Sequence, residues 1–559
     1  MPTAERTQGE EGEQLDPYGG LWVARIGSRI VAQAGTPEQG LRAARARRSK
    51  EHPIVSYMDL GRTLPPVLLQ VLQRIHPSQE IYLVGGAVRD LLLNRSGPDL
   101  DLVVPAGAIA LSRRLANSLG ADFVVLDADR DIARLILYEP DGPRHMVDIA
   151  GFRGGQTLEQ DLLNRDFTIN ALAYDLRHSS VLDPLGGATD LRAKQIRACS
   201  SEAFREDPVR ILRAVRLANI LGFKIEARTR TQMKEATGAL TRVTAERLRD
   251  ELFRILVGPK PQVVLRALDV LGAMTYILPE LPPLKGVDQP PPHVHDTWGH
   301  TLAAVQSLGT ILDSLDPDAA SDRRQDLMTG LLVGILGPYT HRVTAHLQTF
   351  LNPDRPHRGL LLFAALYHDS GKPTTQLRDE SGRVSFIEHE VQSAQLAERR
   401  ARALRLSGIE VERIRTIVLN HMRFGFMAKR RLEEGANPTG RSIYRFFRAA
   451  GPGGIDLVLL GLADLRAKQG PLLSEKTWKA AVDVARLLFE HYWERPSVAV
   501  APPRLVDGTD LMQALAIGPG PIVGQLLETI REAQAGGEIT SRTEAIEFAR
   551  GRVKEGQAG

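Results

Sequence analysis

The stretch Ile81 to Val104, IYLVGGAVRDLLLNRSGPDLDLVV, constrains this chain more than any other. Its apolar run Ile81 to Val84 has strand character and ends in the pair Gly85–Gly86. A helical period follows from Ala87 to Leu93 and carries Arg89 and Asp90. After a polar turn, Asn94 to Pro98, a second strand is predicted over Asp99 to Val104. Residues two apart on a strand share a face, so Asp99 and Asp101 point the same way. Carboxylates side by side repel unless a cation sits between them, and hard oxygen donors favour Mg²⁺. A solvent-facing edge strand would show the same alternation. The Gly–Gly turn separates the two readings, because it lets backbone N–H groups approach a phosphate at a helix start. The combination predicts a site for a nucleoside triphosphate and a metal.

At 559 residues the chain exceeds what one core supports, so three or more domains are expected. A net charge of +4 permits an anionic partner without demanding one; a nucleic-acid surface must come from local arginine clusters. The single cysteine, Cys199, excludes an internal disulfide and suits a reducing compartment. The sequence shows no apolar core of signal-peptide type and no apolar run of membrane-spanning length, which makes cytoplasm the expected location.

Residues 1 to 52 are rich in Gly, Glu, Gln, Ala and Arg and end in LRAARARRSK, which reads as a flexible extension with a basic end. A helix is expected over Pro65 to Ile75. Beyond Val104 the pattern predicts a helix from Ala106 to Leu119, stopped by Gly120. Short strands then follow at Phe123–Leu126, Ala133–Tyr138 and His145–Ile149, giving a small mixed sheet with helices on one side. Asp148, in MVDIAGF, is a candidate third carboxylate beside Asp99 and Asp101, and equally what an exposed strand residue looks like. In TLEQDLLNRDFTINALAYDL, Thr157 and Gln160 form a capping-box pattern, and Asn170 recurs one turn after Asp166. Arg165 and Asp166 read either as a buried pair or, through Arg165, as a phosphate clamp. The segment VLDPLGG turns the chain at Gly186–Gly187, and Asp190 begins the next helix. AFREDPVRILRAVRLANILGF then reads as one strongly marked helix, with Pro208 in its first turn and Glu206 and Asp207 at its N-terminus. Arg210, Arg213 and Arg216 recur on it every three residues, the pattern of a solvated basic stripe.

Pro279 to Asp296, PELPPLKGVDQPPPHVHD, is a proline-rich joint and the strongest candidate domain boundary. Beyond it the pattern is helical. His300 lies in WGHTLAAVQSL, His368 and Asp369 end the apolar helix LLLFAALYHDSGKP, His389 lies in FIEHE, His421 in IVLNHMRF and Asp464 in LLGLADLRA. An isolated His–Asp pair is usually a satisfied core pair. Here several recur on separate helices. The last stretch contains TDLMQALAIGPGPIVGQLLETIREAQ, two helices broken at Gly518 to Pro521, with no chemistry of its own.

Taken in order, GGAVRD with DLDLV, RDFTINALA, LDPLGGATDL, EDPVRILRAVRLA and the later TAERLRDELFRIL resemble the successive motifs of class II tRNA nucleotidyltransferases (CCA-adding enzymes) and the related bacterial poly(A) polymerases. The resemblance runs from about Leu64 to Glu280. The histidine and aspartate pattern of the second half resembles the HD-domain phosphohydrolases. What these likenesses imply is an α+β chain. A flexible extension (1–52) precedes a small mixed-sheet, polymerase-beta-like nucleotidyltransferase head (53–197). An all-α neck (198–285), an all-α HD domain (286–470) and a helical C-terminal tail (471–559) follow.

The resemblance also implies site roles. Asp99 and Asp101 would hold two Mg²⁺ ions for catalysis, with Asp148 the candidate third catalytic carboxylate from the strand pattern. Gly85, Gly86, Arg89, Asp90, Arg165, Asp166, Asn170, Arg213 and Arg216 would contact the nucleotide, and Asp207 with Arg210 would choose the base. A carboxylate only accepts and a guanidinium only donates, which suits the edges of cytosine and adenine and opposes those of uracil and guanine. In the HD domain, His300, His368, Asp369 and Asp464 would ligate a divalent transition metal such as Mn, Ni, Co or Fe, and His389 and His421 a second metal or the substrate. The implied activity is C and A addition to the 3′ end of tRNA from CTP and ATP, with possible hydrolysis of phosphate esters by the HD domain. The alternatives are an A-adding, CC-adding or poly(A)-adding enzyme of the same family, or an HD phosphohydrolase with an RNA-binding head.

Overall fold

The computed structural model describes residues 22–26, 29–34, 54–57, 64–93, 95, 99–138, 144–152, 157–177, 180–317, 326–352 and 355–557. They fall into two compact units divided between Ala239 and Leu240. The basic run LRAARARRSK lies outside the described residues. Part of the stretch read as a flexible extension is strand: β1 (Trp22–Ile26) pairs antiparallel with β2 (Arg29–Ala34) and with β3 (Ile54–Tyr57).

The N-terminal unit is built on a mixed seven-stranded sheet. Its strands are β4 (Tyr82–Val84), β5 (Asp99–Val104), β6 (Asp122–Asp127), β7 (Ile132–Tyr138), β8 (Arg144–Gly151), β9 (Ala173–Asp175) and β10 (Ser180–Leu182), in the order β10-β9-β4-β5-β8-β7-β6. All neighbours are antiparallel except β5 and β8, which run parallel. Leu100, Leu102, Val103 and Val104 bury their side chains while Asp99 and Asp101 stay exposed, the alternation of a half-buried strand. The helix Ala108–Leu119 ends at Gly120 in the left-handed conformation, as its sequence predicts. Its start is capped from a distance, by Asp131, whose carboxylate accepts from the N–H groups of Ala108 and Ile109.

Two motifs of the head act through close packing. The capping box of Thr157 and Gln160 is formed at the start of helix Leu158–Leu163. In LDPLGG, Asp183 accepts from the N–H groups of Gly187 and Ala188, and a Cβ on Gly187 would lie 2.1 Å from the Thr168 carbonyl oxygen. Only glycine brings this turn against the segment that carries Asn170. Asp190, buried behind it, accepts from Thr168 Oγ1 and from Arg197.

The segment AFREDPVRILRAVRLANILGF is two helices rather than one, Ala203–Glu206 and Arg210–Leu221. Asp207 between them is extended, because the residue before a proline is excluded from helical backbone and Pro208 follows.

The C-terminal unit is helical. Helix His357–Tyr367 is buried on every side, its residues Leu360 to Tyr367 fully so, and forms the centre of the unit. Helices Thr297–Ser314 and Gly408–Asn420 pack on it. The proline-rich segment lies inside this unit: Glu280 accepts from Arg400 and from the Tyr367 hydroxyl, and Val294 donates to Lys468. The run Gly440–Leu472 is long and apolar enough to cross a membrane by length and composition, contrary to the expectation of no such run, yet it is mostly buried and broken at Gly451–Gly453. The final helices Gly508–Leu515, Pro521–Ala535 and Arg542–Gln557 share a core of Leu511, Leu526, Ile530 and Ala545.

Candidate nucleotide and metal sites

Strand register brings the head carboxylates together. Asp101 is paired with Val84 on one side and with Asp148 on the other. Asp99, Asp101 and Asp148 therefore share one face of the sheet, at the edge of the small core that buries Val84 and Val103 on that same face. Gly85 follows Val84 with φ +73°, and a Cβ there would lie 3.0 Å from Arg165 Nη1 and 3.4 Å from Asp101 Oδ2. Glycine is what leaves the floor of this site open. At Gly86 a Cβ would lie 3.3 Å from Arg89 Nη2.

Asp101 ionises less readily than an ordinary aspartate. Although Asp101 remains open to solvent, the protein packed around its carboxylate displaces part of its water and is the main cause; Arg165 and Arg213 oppose it, and the Asp148 and Asp99 carboxylates add to it. That crowding is the electrostatic deficit a divalent cation fills, and the oxygen-only donors Asp99, Asp101 and Asp148 fit a hard ion.

The arginines are held by a chain of contacts that crosses three motifs. Arg89 donates to both carboxylate oxygens of Asp90 at 2.8 Å, and its Nη1 donates to Asn170 Oδ1 at 2.7 Å. Asn170 donates to Asp166, and Asp166 is paired with Arg213 at 2.7 Å. Arg165 is anchored by Asp161 at 3.2 Å. Asp207 and Arg210 sit side by side, 3.9 Å apart, and Arg210 donates to the carbonyls of Asn164 and Ala203. The basic stripe is therefore only partly solvated: Arg210 is largely buried, Arg213 is exposed yet ion-paired, and Arg216 lies half-buried further along the helix. Burial above all, and then Asp166, push the Cys199 thiol up to about 12.

The second constellation lies within the C-terminal unit. Its central helix stops at His368 and Asp369, and Gly371 allows the chain to pass the start of helix His389–Ala403, where a Cβ would lie 2.5 Å from the His389 carbonyl oxygen. Asp369 is the hub. Its Oδ2 lies 3.3 Å from Nε2 of both His300 and His368, and its Oδ1 lies 3.3 Å from His389 Nε2 and 3.7 Å from His421 Nε2. Asp464 Oδ1 completes the first group, 3.0 Å from His300 and 3.6 Å from His368. All six predicted residues meet here.

The donor set fits metal. Nδ1 of His368, His389 and His421 each bonds a backbone carbonyl, of Ala365, Phe386 and Val418, which directs Nε2 inward. Burial disfavours the charged form of His368, but Asp369 and then Asp464 outweigh it and lift the imidazole to about 10. His421 goes the other way, to about 3, by burial and then by the charge of His368.

Several participants escaped the sequence. Arg134 binds Asp148 through two of its three nitrogens, Asp161 holds Arg165, and Lys372 Nζ lies 2.6 Å from Asp369 Oδ2 and from Gln289 Oε1. Lys372 carried a signal as the cation closing the run HDSGK, and Asp161 stands one helical turn before Arg165, the spacing of a local ion pair.

Paired carboxylates beside a Gly–Gly turn, with arginines converging from later segments, make the head that of a nucleotidyltransferase. Residues 81–197 match the Poly A polymerase head domain, 222–284 the probable RNA and SrmB-binding site of polymerase A, and 297–446 the HD domain. The chain belongs to the tRNA nucleotidyltransferase family. It is 30% identical over 501 residues to the CC-adding tRNA nucleotidyltransferase of Geobacter sulfurreducens, covering 89% of this chain and 97% of that one. It is 33% identical over 473 residues to the A-adding tRNA nucleotidyltransferase of Deinococcus radiodurans, covering 83% and 94%. The structure of a CCA-adding enzyme with ATP shares the fold, with a TM-score of 0.55 and 21% identity over 88% of this chain and 97% of that one.

Proposed function

We propose that this chain adds C and A to the 3′ end of tRNA without a template, using CTP and ATP, in the cytoplasm. The observation that carries the proposal is the meeting of Asp101, Arg165 and Gly85 beside Asp148. Asp99, Asp101 and Asp148 would hold Mg²⁺, which when bound acidifies the RNA 3′-hydroxyl and neutralises departing pyrophosphate. The hydroxyl oxygen bonds to the α-phosphorus as the bond to pyrophosphate breaks. Gly85 and Gly86 leave room for the triphosphate. Arg89, oriented by Asp90 and Asn170, and Arg165, oriented by Asp161, clamp it. Asp207 accepts from the exocyclic amino group of cytosine or adenine, and Arg210 donates to the adjacent ring nitrogen. The test supplies the purified protein with tRNA transcripts ending before CCA, after C and after CC, with each labelled nucleotide. No extension of any of them overturns the proposal.

A narrower product is the second reading, because the relatives matched along most of this chain are named CC-adding and A-adding. Extension stopping at CC, or occurring only on transcripts ending in CC, establishes it.

The HD centre supports a separate phosphohydrolase activity, on 2′,3′-cyclic phosphates at RNA ends, with Mn, Ni, Co or Fe in its histidine-rich donor set. Asp101→Ala should abolish addition and spare hydrolysis; His368→Ala should do the reverse. Loss of both activities in either folded variant contradicts two separate sites.

A further inference from the structure

A second set of ligand-type side chains meets elsewhere in the C-terminal unit, on residues the sequence reading passed over. His346 lies on helix Thr340–Leu347, His357 begins the central helix, and Asp456 lies in the first turn of helix Gly454–Gln469. Both imidazoles bring Nε2 to the same atom, Asp456 Oδ1, each at 2.8 Å, with the two rings edge to face at 4.9 Å between centroids. His357 and Asp456 are fully buried, whereas the His346 side chain keeps 15% of its surface. The other oxygen of Asp456 is taken by Arg413 Nη1 at 3.0 Å.

We propose that His346, His357 and Asp456 form a binding site for one divalent transition ion of the Zn²⁺ class. Two imidazole nitrogens and one carboxylate oxygen, from three separate helices, are the donor types and number such an ion takes, with water in the remaining position.

The protonation pattern supports it. Arg413 Nη1 lies 3.3 Å from His357 Nε2. If Nε2 carries a proton, it faces a second donor there. If Nε2 is bare, its lone pair faces a carboxylate oxygen at 2.8 Å. An ion between the two accepts both lone pairs. Donors around Zn²⁺ stand about 3.3 Å apart in a tetrahedron with ligand bonds of ~2.05 Å, so the cluster must open by about half an ångström. Arg413 on Oδ2 keeps the carboxylate one-armed and oriented, the part a neighbouring hydrogen bond plays around a metal. His346 at the rim provides the way in.

The test compares metal content per chain, by mass spectrometry after Zn²⁺ loading and gel filtration, in the full-length protein and its variants. His346→Gln and His357→Gln should each lose about one equivalent, and His346→Gln combined with His368→Ala should lose more than either alone. With Co²⁺ in place of Zn²⁺, the same variants should lose part of the visible absorption of a low-coordinate site. Nucleotide addition by the head should be unchanged. Metal content equal to the parent in both variants overturns the proposal and makes the cluster an ion-paired link between helices. If His357→Gln fails to fold, the rim variant His346→Gln decides alone.

Discussion

Arg134 grips Asp148 through both carboxylate oxygens, Nε to Oδ1 at 2.7 Å and Nη2 to Oδ2 at 2.9 Å. Asp148 is also the register partner of Asp101 on the neighbouring parallel strand, so the third carboxylate arrives at the site already oriented. A bidentate guanidinium fixes the plane of the carboxylate as well as its charge. If Asp148 holds Mg²⁺, Arg134→Ala should lower nucleotide addition by about 10- to 100-fold, the usual effect of removing a partner of a metal ligand. The Mg²⁺ concentration for half-maximal rate should rise with it. A rate loss with unchanged Mg²⁺ dependence would remove Asp148 from the metal site.

Asp207 occupies the break between two helices and stands 3.9 Å from Arg210, whose own position is set by two backbone carbonyls. If this pair reads the base, Asp207→Ala should reduce the preference for CTP and ATP over UTP and GTP by about 10- to 100-fold, the worth of one charged hydrogen bond. The readout is kcat/KM for each nucleotide. A general fall in rate with the preference intact would assign Asp207 to shaping the turn alone.

Strand alternation and glycine pairs made most of the head legible in the sequence. Asp99 and Asp101 share a face because period two leaves no other choice, and β5 runs from Asp99 to Val104 as predicted. Not every arginine partner was legible. Arg134 reaches Asp148 through the register of β7 and β8, a relation that strand pairing determines, whereas Asp161 stands four residues before Arg165, a local spacing. The split at Asp207 was readable from Pro208, but the strong helical period on either side masked it. The cluster of His346, His357 and Asp456 joins residues about a hundred positions apart, which no local pattern signals.

Glu410 gives the C-terminal unit an acid-sensitive joint. It is fully buried, caps helix Gly408–Asn420 through the Ser407 N–H, and accepts from Arg355 at 2.8 and 2.9 Å. Burial disfavours its charge, yet Arg355 and Ser407 outweigh that and hold the carboxyl below its ordinary value. A carboxyl depressed in the folded state contributes stability above its unfolded pKa and loses it as pH falls through the folded value. Stability should therefore decline below about pH 4.5, and Glu410→Gln should flatten that decline. At neutral pH the same variant should cost about 3–5 kcal/mol, the range for breaking one buried ion pair from one side. Urea titrations across the acid range measure both, and an unaltered pH slope would discount the pair.

Gly461 sets how closely the helix bearing Asp464 approaches the helix that follows His421. A Cβ there would lie 2.4 Å from Phe424 Cδ1 and 2.7 Å from Phe424 Cβ, and Phe424 is fully buried. The ring has no exposed side toward which to swing, so the two helices must part. Gly461→Ala is expected to cost about 1–3 kcal/mol of stability, the range for overpacking a closed core. Because Asp464 lies one turn further along the same helix, the separation should also draw it from His300 and His368 and weaken metal retention at the HD centre. Nucleotide addition in the head should be unaffected. Denaturant titration and metal content after dialysis separate the two consequences. A stability loss with metal retention intact would mean that the strain is absorbed before it reaches Asp464.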